Sequence, residues 1–185
     1  TLGNVAIMSG AQCGLFASSM CLLAPGDEVI VPEPMYVTYE ATLQAPGAKI
    51  VHVPQRPENG FHLDPADVAR AITPRTKAIY FATPCNPTGA MMPQATLEQV
   101  AALARQHDLW VVSDEVYATL TFGQRHMSIS GLPGMAERAV TINSLSKSHA
   151  MTGWRMGWIV GPEALIAHVY NLSMAMLYGL PTFLQ

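Results

Sequence analysis

Lys147 lies in a segment of small hydroxyl residues, and Arg155 follows it eight residues later. The segment reads Ser144-Leu-Ser-Lys-Ser148, so hydroxyl groups flank the amine on both sides. Such neighbours are poorly suited to an ordinary solvated charge, and we expect Lys147 to be shielded from solvent. An amine in this setting suits nucleophilic attack on a carbonyl carbon beside a phosphate that Arg155 neutralises. The amine must lose its proton near neutral pH, which burial or the charge of Arg155 favours.

A candidate carboxylate, Asp114, follows the apolar run Leu109-Trp-Val-Val112. A buried carboxylate without a partner is costly, so Asp114 needs one. A protonated ring nitrogen would serve, but an arginine or a backbone turn is the commoner partner of a single aspartate. Tyr117 comes three residues later and can reach the same partner.

Two further residues can contact a flat ring or its oxygen atoms. Asn86 lies between Pro84 and Pro87, which restrict the backbone around it and favour a rigid hydrogen-bond donor. Prolines also make ordinary turns, so this composition alone is neutral. Tyr36 can stack on a ring, and packing in the core is an equally good interpretation.

A short turn, Ser9-Gly-Ala-Gln12, joins an apolar run to a helical pattern. Gly10 permits a tight backbone turn, and the amides of Gly10, Ala11 and Gln12 can hold an anion at the start of the helix. A purely structural turn is the commoner use of such a sequence.

Apolar runs and helical patterns alternate along the chain. Short apolar runs predict strands at Val5–Met8, Val29–Val31, Ile50–Val53, Ala78–Ala82, Leu109–Ser113, Val140–Asn143 and Trp158–Val160. Longer patterns predict helices at Ala11–Leu23, Met35–Ala45, Pro65–Ile72, Pro93–His107 and Glu163–Leu177. This alternation predicts an α/β fold of three layers, in which helices flank a mostly parallel seven-stranded sheet. Ligands of such sheets bind beyond the carboxyl ends of the strands, where the polar motifs are expected to converge.

Composition narrows the class of protein. The 185 residues are 50% hydrophobic and 12% charged, and the net charge of −3 gives no reason to expect nucleic acid or an anionic membrane as a partner. The apolar run from Cys13 to Ala24 is too short to span a bilayer. The three cysteines and six scattered histidines lack metal-ligand spacing. Free thiols favour a reducing compartment, the cytoplasm.

Three motifs taken together resemble the class I/II aminotransferases, which are pyridoxal-phosphate enzymes of fold type I related to aspartate aminotransferase. The motifs are Asn86-Pro-Thr-Gly89, Ser113-Asp-Glu-Val-Tyr117 and Ser144-Leu-Ser-Lys147 with Arg155. They occur in the family's order, and the resemblance covers essentially all 185 residues. The segments around Tyr36 and Lys147 also look similar to those of bacterial arginine–pyruvate transaminases.

The resemblance implies a role for each candidate residue. Lys147 would bind the cofactor through a Schiff base and then transfer protons, and Asp114 would pair with the pyridinium nitrogen. Tyr117 and Asn86 would hydrogen-bond the phenolic oxygen, and Tyr36 would stack on the ring. The phosphate would be held by Gly10, Ala11, Gln12, Ser144, Ser146 and Arg155. The implied reaction moves an amino group from an L-amino acid to a 2-oxo acid in a homodimer.

Complete members of this family are longer, so we expect residues 1–185 to be a fragment, the cofactor-binding large domain. The N-terminal segment and the C-terminal small domain would be absent, and the fragment alone would be inactive. Alternatives remain open: a carbon–sulfur β-lyase of the same fold type, an aminotransferase-like effector domain of a transcriptional regulator, or a structural α/β domain with an inactive site.

Overall fold

The computed structural model describes residues 1–184, so Gln185 of the predicted domain lies outside the described residues. Within this range the strands are β1 (Val5–Ser9), β2 (Glu28–Glu33), β3 (Lys49–Pro54), β4 (Thr76–Ala82), β5 (Trp110–Asp114), β6 (Ala139–Ser144) and β7 (Met156–Val160). The α-helices are α1 (Ala11–Leu22), α2 (Tyr39–Gln44), α3 (Pro65–Ala71), α4 (Gln94–Gln106), α5 (Leu145–Ser148) and α6 (Glu163–Leu177).

The seven strands form one sheet in the order β1-β7-β6-β5-β4-β2-β3. Strand β7 runs antiparallel to both of its neighbours, β1 and β6, and the other neighbouring pairs are parallel. The prediction of a mostly parallel seven-stranded sheet is therefore confirmed. Each predicted strand is present, and its ends differ from the prediction by no more than two residues.

Helices cover both faces of the sheet because the strand side chains alternate between two apolar cores. Val29 and Val31 belong to the core beneath α1, α2 and α6, whereas Ile30 belongs to the core beneath α3 and α4. The side chains of Val29, Ile30 and Val31 are all fully buried. The predicted three-layer arrangement is confirmed. None of the helices within residues 1–184 is sufficiently long and apolar to reach across a bilayer.

The second helix is shorter than predicted. The expected range was Met35–Ala45, but α2 begins only at Tyr39. The preceding residues form a turn, in which the N–H of Tyr39 donates to the carbonyl of Tyr36 at 3.0 Å. The side chain of Thr38 donates to Gln12 on α1, so this turn is tied to a neighbouring helix instead of extending its own.

The register of the sheet brings distant segments to one edge. Ser9 at the end of β1 pairs with Met156, and Ser144 at the end of β6 pairs with Gly157. Because β7 is reversed, its first residues lie beside the last residues of β1 and β6. A Cβ atom on Gly157 would lie 2.6 Å from the backbone nitrogen of Ala11. Strand β7 therefore requires glycine at position 157, where it packs against the start of α1.

Candidate functional site

A pocket of about 190 Å³ opens at this edge, beyond the carboxyl ends of β4, β5 and β6. All of the predicted site residues except Gly10 line it. The lining consists of Ala11, Gln12, Leu15, Tyr36, Tyr39, Ala82, Asn86, Asp114, Val116, Tyr117, Ser144, Ser146, Lys147, Thr152 and Arg155. The structure therefore brings together side chains from the first and the last thirds of the chain.

Asp114 is the last residue of β5 and is 5% exposed. The hydroxyl of Tyr39 donates to its Oδ2 atom at 2.7 Å, and the backbone N–H of Val116 donates to Oδ1 at 3.2 Å. Burial raises the pKa of Asp114, and these two hydrogen bonds oppose the rise. A buried acid with a hydrogen bond to each oxygen thus lines the pocket.

Tyr39 also lines the pocket, although the sequence patterns single out only Tyr36 from this segment. Its ring is buried and meets the ring of Tyr36 edge to face, with centroids 5.8 Å apart. A similar contact joins it to Tyr80 at 5.0 Å. Burial, followed by the nearby charge of Asp114, raises the pKa of Tyr39 well above its usual value. The available signal was a second tyrosine three residues after Tyr36.

Lys147 is the third residue of α5, a single turn that begins directly after β6. The Oγ atom of Ser144 caps this turn by accepting from the N–H of Ser146 at 2.8 Å. Among the described residues Lys147 is exposed, so the expectation that its neighbours shield it from solvent is wrong. The reason is that α5 borders an open pocket. The Nζ atom lies 5.8 Å from the centroid of the Tyr117 ring, a cation–π distance.

Arg155 has a left-handed backbone, with φ of 53°, just before β7. Its Nη1 atom donates to the carbonyl of Thr152 at 2.9 Å, and Nη2 donates to the carbonyl of Ser9 at 3.5 Å. These contacts hold the guanidinium over Gly10. A Cβ atom on Gly10 would lie 2.2 Å from Nη2, so Gly10 leaves the space that Arg155 uses.

The start of α1 offers backbone amides to the same end of the pocket. The N–H of Gly10 already donates to the carbonyl of Met8 at 2.8 Å, which makes this amide a poorer anion donor than expected. The amides of Ala11 and Gln12 belong to the first turn of α1, where N–H groups have no acceptor within the helix. Those two amides are the better candidates for an anion.

The side chain of Gln12 is occupied by α2 and the turn before it. Its Nε2 atom donates to Oγ1 of Thr42 at 2.8 Å, and its Oε1 atom accepts from Oγ1 of Thr38 at 2.7 Å. Gln12 therefore connects two helices through its side chain and offers only its backbone to a ligand.

Asn86 is half-buried in the turn that follows β4. This turn is closed by hydrogen bonds from the N–H of Cys85 to Ala90 at 2.8 Å and from the N–H of Gly89 to Cys85 at 2.7 Å. The rigid setting expected from the prolines is present. Asn86 and Tyr117 line the same pocket as Lys147.

The arrangement suits a planar, anionic ligand that carries a carbonyl carbon. Arg155 and the start of α1 supply positive charge at one place, and Asp114 supplies a buried carboxylate at another. Lys147 contributes the nucleophilic amine, and Tyr36 contributes an aromatic ring. Phosphate binding, ring binding and imine formation can therefore be accommodated in one pocket.

Residues 2–185 match the family described as aminotransferase class I and II. The arginine–pyruvate transaminase of Pseudomonas aeruginosa is 59% identical over 182 residues, which is 98% of this chain and 46% of that protein. Kynurenine–oxoglutarate transaminase 1 of Mus musculus is 40% identical over 195 positions, covering 100% of this chain and 46% of that protein.

Solved structures show the same relationship. An aspartate aminotransferase from Thermus thermophilus, determined with maleate, superposes with a TM-score of 0.92 at 40% identity. The match covers 95% of this chain and 45% of that one. The chain thus spans about half the length of the relatives that it matches.

Proposed function

The chain belongs to the class I and II aminotransferases, and we propose that its full-length protein uses pyridoxal 5'-phosphate to transfer an amino group from an L-amino acid to a 2-oxo acid. One observation carries the proposal: Asp114, on a separate segment of the chain, lines the same pocket as Lys147 and Arg155. Residues 1–185 would be the cofactor-binding large domain of that protein.

The pocket residues fit this cofactor. The guanidinium of Arg155, held over Gly10, and the first amides of α1 together form a cradle for a phosphate. Ser144 and Ser146 border the same pocket and would complete it. The buried carboxylate of Asp114 would pair with the ring nitrogen, because an opposite charge stabilises a buried carboxylate.

The remaining pocket residues would orient the ring. Asn86 and Tyr117 would donate hydrogen bonds to the phenolic oxygen, and Tyr36 would stack on one ring face. When bound, pyridoxal phosphate supplies an electron sink that makes the α-hydrogen of an attached amino acid acidic.

Lys147 has two tasks in this proposal. Its Nζ atom would hold the cofactor covalently until substrate displaces it, and would then accept the α-proton and return it to a different carbon. Asp114, as a carboxylate, would keep a proton on the ring nitrogen while Lys147 acts. The open position of Lys147 beside Tyr117 gives the amine room for both tasks.

Covalent labelling tests the assignment of Lys147. The full-length protein is titrated with pyridoxal phosphate, reduced with borohydride and mapped by mass spectrometry. Within residues 1–185 the lysines are Lys49, Lys77 and Lys147, and we expect the label on Lys147 alone. The control Lys77→Ala, an exposed site, should label like the parent. Labelling of Lys147→Ala to the parental extent would overturn the proposal.

A substrate assay tests the reaction class. Because the Pseudomonas aeruginosa relative is named for arginine and pyruvate, that pair is the first to assay. We expect amino transfer that requires an added 2-oxo acid. Accumulation of pyruvate and ammonia from an amino acid without added 2-oxo acid would instead support the carbon–sulfur lyase alternative.

We also propose a homodimer in the cytoplasm. The free thiols of Cys13, Cys21 and Cys85 support a reducing compartment. Exposed apolar side chains along α6, including Met174 and Leu177, support an interface. Sedimentation of the full-length protein tests the assembly, and a monomer that binds the cofactor tightly would contradict it.

A further inference from the structure

The buried hydroxyl of Tyr39, a residue outside the three sequence motifs, donates a hydrogen bond to the carboxylate of Asp114. We propose that Tyr39 is a positioning residue that keeps Asp114 ionised and aimed at the cofactor's ring nitrogen, an inference that rests on the proposed function. The contact joins residues 75 positions apart, at 2.7 Å between the Tyr39 hydroxyl and Oδ2.

The geometry limits how Asp114 can turn. Tyr39 engages Oδ2 and the N–H of Val116 engages Oδ1, the latter at the longer distance of 3.2 Å. A hydroxyl that donates to a carboxylate makes a charge-assisted hydrogen bond, which is roughly twice as strong as a neutral one. Tyr39 is 2% exposed and Asp114 is 5% exposed, so water cannot readily replace the hydroxyl.

The hydrogen bond from Tyr39 opposes the surroundings of Asp114 that raise its pKa. Burial raises the pKa of Asp114, and the neighbouring charge of Glu115 raises it further. The hydrogen bonds from Tyr39 and Val116 lower it. Within residues 1–184 the Tyr80 hydroxyl donates no hydrogen bond to Asp114. Lys147, Tyr117 and Arg155 line the pocket that Asp114 faces.

The ring of Tyr39 also braces Tyr36, whose ring lies edge to face with it. Two contributions therefore come from one side chain: the hydroxyl acts on Asp114 and the ring supports Tyr36. Tyr39→Phe removes only the hydroxyl, and Tyr39→Leu removes both. The pair of variants separates a positioning role from simple packing.

Tyr80 provides a matched control. It is fully buried, its ring contacts Tyr39, and its hydroxyl has no hydrogen-bond partner within residues 1–184. The nearby hydroxyl of Ser19 donates instead to the carbonyl of Leu15. Tyr80→Phe thus removes a buried hydroxyl from the same cluster without touching Asp114.

The test uses the full-length parent, Tyr39→Phe, Tyr39→Leu and Tyr80→Phe, each loaded with pyridoxal phosphate. We measure the pH dependence of kcat and, independently of activity, the pH titration of the visible absorption band of the bound cofactor. Without its hydroxyl donor Asp114 protonates more readily. We therefore expect Tyr39→Phe to move the acid limb of both profiles to higher pH and to lower kcat roughly tenfold at neutral pH with little change in KM.

The outcomes are distinguishable. Profiles of Tyr39→Phe that superpose on those of the parent and of Tyr80→Phe would overturn the inference while leaving the cofactor assignment intact. Failure of the parent itself to take up pyridoxal phosphate at Lys147 would overturn the proposed function. If Tyr39→Leu alone lowers activity and Tyr39→Phe does not, the residue acts only by packing and the inference is wrong.

Discussion

The guanidinium of Arg155 fills the space directly above Gly10, and a Cβ atom there would lie 2.2 Å from its Nη2 atom. The two residues are 145 positions apart in sequence. Gly10 also has a φ of +81°, which side chains rarely adopt. Gly10 therefore has two functions: it permits the backbone turn, and it leaves space for the guanidinium of Arg155.

This relationship predicts that Gly10→Ala displaces Arg155 and weakens phosphate binding. We expect the dissociation constant for pyridoxal phosphate to rise roughly tenfold or more, the loss of about one charge-assisted hydrogen bond. Gly26→Ala is the control, because Gly26 has a φ of +92° but, among the described residues, no atom lies within 4 Å of the added Cβ. Both variants should lose about 1–3 kcal/mol of stability from backbone strain at a positive φ. Equal affinity in the two variants, measured by equilibrium titration, would contradict the role of Gly10.

Asp114→Ala should impair proton transfer more than cofactor attachment, because covalent attachment at Lys147 does not require a proton on the ring nitrogen. We expect borohydride labelling of Lys147 to persist while turnover of the full-length enzyme falls roughly a hundredfold. Asp108→Ala, at a carboxylate that is 94% exposed, should behave like the parent. Near-parental turnover of Asp114→Ala would show that the assigned role is wrong.

Gly157→Ala should destabilise the fold where α1 meets β7. The added methyl group would lie 2.6 Å from the Ala11 nitrogen and 2.9 Å from the Asn143 carbonyl oxygen, which are backbone atoms with little freedom to move. We expect a loss of about 1–3 kcal/mol in the free energy of unfolding, measured with urea. At Gly153 no atom of residues 1–184 lies within 4 Å of an added Cβ, so Gly153→Ala should retain parental stability. A tolerant Gly157→Ala would mean that α1 can shift freely.

The hydrogen bonds of Glu28 predict that the folded state loses stability in acid. A hydrogen bond from Thr73, followed by one from Arg75 at 2.7 Å, lowers the pKa of Glu28 below its ordinary value of 4.5. A lowered pKa in the folded state means that its contribution is present above pH 4.5 and is lost as the pH falls through the folded-state value.

Glu28→Gln should therefore be less stable than the parent at neutral pH, and the gap between the two should narrow below pH 4.5. Buried Asp114 and Glu115 act in the opposite direction, since burial raises their pKa values, so variants must be compared with the parent at each pH. Urea unfolding midpoints measure the effect, and Glu137→Gln, on the surface, is the control. A gap that stays constant across the acid range would contradict the prediction.

Local patterns were sufficient for most of the fold. Short apolar runs such as Ala78–Ala82 must be buried, and each lies in a strand of the sheet. The helix whose predicted range exceeds the observed one most, Met35–Ala45, is preceded by a turn in which Thr38 contacts Gln12 on another helix. Helical propensity is a local property, and a hydrogen bond to another helix can override it.

For the site, too, some features follow from the sequence and others only from the tertiary structure. Residue types and their order along the chain identify the amine of Lys147, the carboxylate of Asp114 and the family to which both belong, because chemistry at a strand end depends on which side chain stands there. Only the tertiary structure decides that Arg155 rests over Gly10 and that Tyr39 holds Asp114. Both contacts join segments that are far apart in the sequence, which no local pattern encodes. The first depends on the reversed strand β7 and the register of the sheet, and the second on the meeting of α2 with the end of β5.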